Sequence, residues 1–172
     1  MAEEMIRLTE AEKWMREALR EAAMSGDDVP VGAVVVQNGR VLARAHNERE
    51  EGGPFDHAEM LAMRRACEAL GTRRLHGCTL YVTLEPCPMC AGALIMAELD
   101  ACVFGAYDAR QGCCGSVYSL PQDPAFYHHA VCAGGVVQDE CAALLRNFFL
   151  SRRENGRQSK TLPAAPDAPF GL

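Results

Sequence analysis

The chain has no apolar run approaching the roughly 20 residues that a membrane-spanning helix needs. Its first twelve residues, Met1 to Glu12, mix acids with an arginine and contain no apolar core of the kind a secretory signal carries. The expected location is therefore the cytoplasm, with no membrane partner. Internal repeats are lacking. So is an excess of positive charge: the formal net charge is −6, which argues against nonspecific coating of nucleic acid through many phosphate contacts. An even cysteine count is missing too. Nine cysteines cannot all pair, and without an export signal they point to metal ligands and small buried hydrophobes rather than a disulfide framework.

What is present suits one globular domain. The chain has 172 residues, 49% hydrophobic and 23% charged, enough for a single core and too short for two ordinary domains. The domain is expected over 1–155. A tail over 156–172, with Pro163, Pro166 and Pro169 among Ala and Ser, predicts disorder. One basic segment breaks the acidic balance. Arg146, Arg152, Arg153, Arg157 and Lys160 stand against the single acid Glu154, as cations that suit a helix end or as contacts for phosphate.

Periodicity predicts the elements. Thr9 with Glu12 has the form of a capping box, followed by apolar residues at helical spacing up to Gly26. Val31 to Val36 and Arg40 to Ala45 flank Asn38-Gly39, a hairpin signal. Asp56 is placed to cap a helix from about His57 to Leu70, stopped by Gly71. Thr79 to Leu84 is a buried strand, and Pro86 suits the start of a helix to about Glu98. Ala101 to Phe104 and Val131 to Val137 are further strands, the second weakened by Gly134-Gly135. A last helix covers about Asp139 to Arg153. The order predicts an α/β protein: a mixed sheet of about five strands with helices on both faces.

The chemistry concentrates in two short strings. Cys87 and Cys90 lie three residues apart, so one helical turn aims both sulfurs the same way, at a helix N-terminus that favours thiolate. His57 supplies a third donor. One imidazole and two thiolates suit zinc better than a hard cation, and three protein ligands leave the fourth tetrahedral position open, as a catalytic zinc requires. Glu59, two residues from His57, is near enough to exchange a proton with a water at that position without being a ligand. Cys-x-x-Cys alone also serves as a structural zinc half-site or a redox pair. Cys67, Cys78, Cys102 and Cys141 lie in apolar patterns and are expected in the core. Cys113-Cys114 and Cys132 lack a ligand-like spacing.

His-x-Glu with Pro-Cys-x-x-Cys resembles the signature of the zinc nucleobase deaminases. Further strings narrow the resemblance: Pro30 to Val34, Asn47, Thr79 to Leu94 (TLYVTLEPCPMCAGAL), Val103 to Ala106 with Asp108, Gly115-Ser116, and Asp139 to Phe149 (DECAALLRNFF). Over about residues 10 to 153 the chain resembles the bacterial tRNA-specific adenosine deaminases. That resemblance implies a three-layer α/β/α cytidine deaminase-like fold, one Zn2+ per subunit and a homodimer. It implies hydrolytic conversion of the wobble adenosine to inosine in the anticodon loop of an arginine tRNA, with ammonia released. Glu59 would protonate the flipped-out adenine at N1. Asn47 matches a position that hydrogen-bonds the purine, and Asp108 one that contacts the ribose of a neighbouring nucleotide. Val29 and Pro86 would line the base pocket. Arg152 and Arg153 are the candidate tRNA contacts. Phe55-Asp56, Cys113-Cys114 and Ala130 depart from the family pattern, with Asp56 a candidate partner for His57. A deaminase of free guanine or a pyrimidine nucleotide, and a noncatalytic RNA-binding subunit, are the alternatives.

Overall fold

The computed structural model describes the backbone of residues 2–159 and the side chains of 9–155. Five strands form one sheet: β1 (Gly32–Gln37), β2 (Arg40–His46), β3 (Cys78–Leu84), β4 (Ala101–Ala106) and β5 (Val131–Ala133), in the order β2-β1-β3-β4-β5. β1 is antiparallel to β2 and β3, whereas β3, β4 and β5 run parallel. The helices are α1 (Ala2–Ala22), α2 (Arg49–Gly52), α3 (Ala58–Leu70), α4 (Pro88–Met96) and α5 (Gln138–Ser159).

Both faces of the sheet are covered, which is why its central strands are almost continuously apolar. Alternation splits each strand between two cores. Ala33, Val35, Leu80, Val82, Cys102 and Phe104 face one side, where Leu61 and Ala62 of α3 and Leu94 of α4 pack. Val34, Val36, Tyr81 and Val103 face the other, against Trp14, Met15 and Ala18 of α1 and Cys141 of α5. The result is the three-layer α/β/α arrangement with a mixed five-stranded sheet.

Two glycines permit this closeness. A Cβ at Gly32 would lie 1.9 Å from the Ala18 carbonyl oxygen, so α1 rests directly on β1. A Cβ at Gly105 would lie 2.3 Å from Cys141 Sγ, which does the same for α5 on β4. The hairpin turns through Asn38 and Gly39, both with positive φ (50° and 70°), as its sequence requires.

Several boundaries differ from expectation. α1 begins at Ala2, so Thr9 and Glu12 lie inside it rather than capping it. Helix formers such as Ala11, Glu12 and Lys13 continue the helix through the capping pattern. Asp56 does not cap α3: the N-cap is His57, and the first helical amide, that of Ala58, donates to Asn47 Oδ1 (2.9 Å). β5 stops at Ala133 because Gly134 tucks against Phe104 and Tyr107, where no Cβ would fit, and Gly135 has a φ of 88°. α5 is helical in backbone to Ser159, and residues 160–172, the greater part of the tail expected over 156–172, lie outside the described residues. The short α2 and a 3-10 turn at Leu120–Gln122 had no signal in the apolar periodicity.

Candidate active site

The topology brings one end of every central strand to the same place. Val29 and Val31 precede β1, Asn47 follows β2, Glu85 to Cys87 follow β3, and Tyr107 to Gln111 follow β4. α3 and α4 both begin at this end, so two helix N-termini converge there. A crevice at the carboxyl ends of parallel strands is where open α/β sheets bind ligands. Here it is a cavity of about 840 Å³, whose walls include Asn47, His57, Glu59, Cys87 and Asp108.

His57 and Cys87 are the N-cap residues of α3 and α4, and Cys90 lies one turn into α4. His57 Nδ1 is 3.7 Å from Cys87 Sγ and 3.6 Å from Cys90 Sγ. A tetrahedral zinc, at about 2.3 Å from sulfur and about 2.0–2.1 Å from nitrogen, separates those ligand atoms by about 3.6 Å. The three donor atoms, within 4.8 Å of one another, therefore have the chemistry and the spacing to hold one zinc. Among the described residues no other group of three His, Cys, Asp or Glu side chains meets that spacing.

Electrostatics follow the same arrangement. The Cys87 thiol is pulled down to about 4, first by the hydrogen bond from Cys90 and next, against burial, by that with His57. Cys90 is pushed far up, because its proton is held by Cys87 and its site is buried. The Cys87 hydrogen bond raises His57 in turn. The two thiols thus differ in acidity, Cys87 favouring thiolate and Cys90 favouring its proton, and a metal that takes both as thiolates displaces protons on binding. Glu59 is only 4% exposed. Its burial pushes the carboxyl up to about 7, within the range suited to general acid and base work at neutral pH.

The other expected site residues distribute unevenly. Val29 and Asp108 line the cavity. Pro86, expected to line the pocket, is buried and does not form part of the cavity wall; its carbonyl accepts from the Cys113 amide (2.9 Å). Asn47 lines the wall and is also structural: Nδ2 donates to the Val29 carbonyl (2.9 Å) while Oδ1 accepts from Ala58. Arg153 lines the cavity, but Arg152 hydrogen-bonds the Asp27 carbonyl and stacks on Phe148 at 5.1 Å. The Asp56 carboxylate packs on Gly52, its Oδ2 2.1 Å from where a Cβ would lie, and no hydrogen bond joins it to His57. Phe55 is 69% exposed.

Sequence reasoning missed three groups. Arg49 and Arg110 join Arg146 and Arg153 of α5 in the cavity wall, drawn from three separate places in the chain. Asp28 is buried and anchors the α2 turn, accepting from the amides of Val29 (2.9 Å), Arg49 (2.5 Å) and Glu50 (3.1 Å). Glu85 is 2% exposed and binds the 108–116 loop. Its one local signal was an acid at the end of a buried strand.

Fold and site together define a zinc-binding deaminase. Residues 8–106 match the model of the cytidine and deoxycytidylate deaminase zinc-binding region. The chain is 47% identical over 156 residues to the tRNA-specific adenosine deaminase of Bacillus subtilis (strain 168), covering 89% of this chain and 97% of that protein. It is 42% identical to the tRNA-specific adenosine deaminase of Aquifex aeolicus (strain VF5), covering 84% and 97%. A solved structure from "Biochemical and Structural Studies of A-to-I Editing by tRNA:A34 Deaminases at the Wobble Position of Transfer RNA" superposes with a TM-score of 0.74 at 42% identity, covering 77% of this chain and 99% of that one. A guanine deaminase structure from Bacillus subtilis gives 0.54 at 37%, covering 56% and 64%. The chain belongs to the zinc-binding cytidine and deoxycytidylate deaminase family and, within it, to the tRNA-specific adenosine deaminases.

Proposed function

We propose that this chain hydrolytically deaminates the wobble adenosine of an arginine tRNA anticodon loop to inosine, with release of ammonia. The observation that carries the reading is the His57, Cys87 and Cys90 donor set at zinc spacing, opening on the same cavity as the buried Glu59. His57, Cys87 and Cys90 hold one zinc per subunit. When bound, the metal supplies a Lewis acid able to lower the pKa of a water to about 7. Glu59 is the cavity's proton carrier: it would accept a proton from the attacking water and deliver it to N1 of the purine, and its burial-raised carboxyl suits such exchange near neutral pH.

Asn47 spends one amide hydrogen and one lone pair on Val29 and Ala58, leaving one donor and one acceptor for a purine edge. Val29 gives the base an apolar wall, and Pro86 backs it. Asp108 stands beside these for a neighbouring ribose. The flanking strand needs phosphate contacts, for which Arg153, with Arg49, Arg110 and Arg146, is suited despite the acidic net charge. An anticodon loop fits because its unstacked bases splay out at low cost. The working unit is a homodimer, supported by the apolar groove of Met60, Met63, Ala93 and the 71%-exposed Met96 between α3 and α4.

Mass-spectrometric detection of inosine decides the substrate. Zinc-loaded protein should convert the wobble adenosine of an anticodon stem-loop and leave a stem-loop with the adenosine moved untouched. Ammonia from free guanine or cytidine, with an unedited stem-loop, would overturn the RNA substrate and retain the chemistry.

A further inference from the structure

A carboxylate buried at a strand end must have its oxygens satisfied, and those of Glu85 are satisfied by one loop. Oε2 accepts from the Asp108 amide (3.0 Å) and the Ser116 hydroxyl (2.5 Å). Oε1 accepts from the amides of Cys114 (3.1 Å) and Ser116 (2.9 Å). Asp108 then organises its own neighbours: its Oδ1 accepts from the amides of Arg110 (2.9 Å) and Gln111 (3.3 Å), closing a turn over 108–111. A Cβ at Gly112 would lie 2.4 Å from the Glu85 carboxylate, so the loop is also packed directly on it. Asp108 and Arg110 both line the cavity, and Glu85 stands two residues before Cys87. One buried side chain, itself at the cavity wall, thus ties the loop bearing four cavity residues, Asp108 to Gln111, to the segment bearing a zinc ligand.

We propose that Glu85 is a positioning residue, setting Asp108 and Arg110 against the RNA strand beside the reacting base. This rests on the RNA-editing reading above. The substitution Glu85→Gln isolates the effect. A carboxamide keeps one acceptor oxygen and replaces the other with a donor nitrogen. With its oxygen toward the Cys114 and Ser116 amides, the nitrogen faces the Asp108 amide, donor against donor, while the Ser116 hydroxyl rotates to accept from it. The opposite orientation would set two backbone amides against a donor. Asp108 is therefore the group released.

The test uses the zinc-loaded full chain and the anticodon stem-loop, with Glu85→Gln, Asp108→Ala and the double variant; Glu85→Asp, which draws the carboxylate back, replaces Glu85→Gln should that variant not fold. Amide hydrogen exchange should quicken at Asp108 and stay slow at Cys114 and Ser116, with zinc content unchanged. kcat/KM should fall about ten- to a hundredfold in Glu85→Gln, yet less than about threefold when the same change is made on Asp108→Ala, since contacting groups are not additive. An unchanged Asp108 amide, an equal loss in both backgrounds, or a loss that tracks zinc content would overturn the proposal. A stem-loop left unedited by the unaltered chain would overturn the RNA reading and the strand-positioning role with it, while the exchange result would still decide the anchoring of Asp108.

Discussion

Glu59 and Asn47 show how one cavity separates chemistry from support. Glu59 touches the reacting atoms in the proposed mechanism, so Glu59→Ala should abolish turnover while metal analysis still finds one zinc per subunit. Retained turnover would remove Glu59 from proton transfer. Asn47 carries a double load. Asn47→Ala strands the Ala58 amide and leaves the Val29 carbonyl with only the Val31 amide, a cost of about 1–3 kcal/mol in chemical denaturation. Because Ala58 is the residue after His57, the same change should weaken zinc binding, measurable by competition with a chromophoric chelator. Arg152 and Arg153 separate at this scale as well. Losing one phosphate contact lowers the salt slope by about 0.7 for a single strand. Arg153→Ala should therefore flatten the salt dependence of stem-loop binding, and Arg152→Ala should do so less, its guanidinium being held by Asp27. Equal slopes for both variants would contradict that assignment.

Among the elements, the contact between α1 and β1 is the most constrained. At Gly32 the added methyl of an alanine meets backbone rather than a movable side chain. Gly32→Ala should cost at least about 3 kcal/mol of stability, read by denaturant titration, whereas Gly92, with open space around it, should tolerate alanine. α3 and α4 behave differently. Each begins at a metal-ligating position, so their N-termini are held to each other through the site as well as through the core. The converging helix ends favour the thiolate that the metal requires.

For the whole molecule, zinc joins two helices 30 residues apart in sequence and should stabilise the fold by mass action. At a free zinc concentration a hundredfold above the dissociation constant that is about 2.7 kcal/mol, or roughly 5 to 10 °C of melting temperature in a chain of this size. Chelation should remove the increment and added zinc restore it; an unchanged melting curve would show that the site is not coupled to folding. The acidic net charge and the four cavity arginines are reconciled at this scale. Positive charge is gathered in the cavity wall, so the proposed RNA strand would be held locally rather than diffusely.

Much of this was legible in the residues. His57, Glu59, Cys87 and Cys90 announce themselves because metal and proton chemistry need particular side chains at helix-turn spacing, and spacing within a turn is a local property. The strands and both site helices were legible for the same reason, since apolar period and helix stop signals such as Gly71 act over a few residues. Other features depended on tertiary structure. Arg49, Arg110, Arg146 and Arg153 share a wall only because strand ends and α5 converge. Asn47, not Asp56, satisfies the start of α3 because β2 ends beside it. Glu85 accepts four hydrogen bonds from three residues, Asp108, Cys114 and Ser116, none of which is near it in sequence. Local periodicity determined the elements and the metal motif; long-range hydrogen bonding and close packing decided what surrounds them, because a buried polar group must find its partner wherever the folded chain brings one.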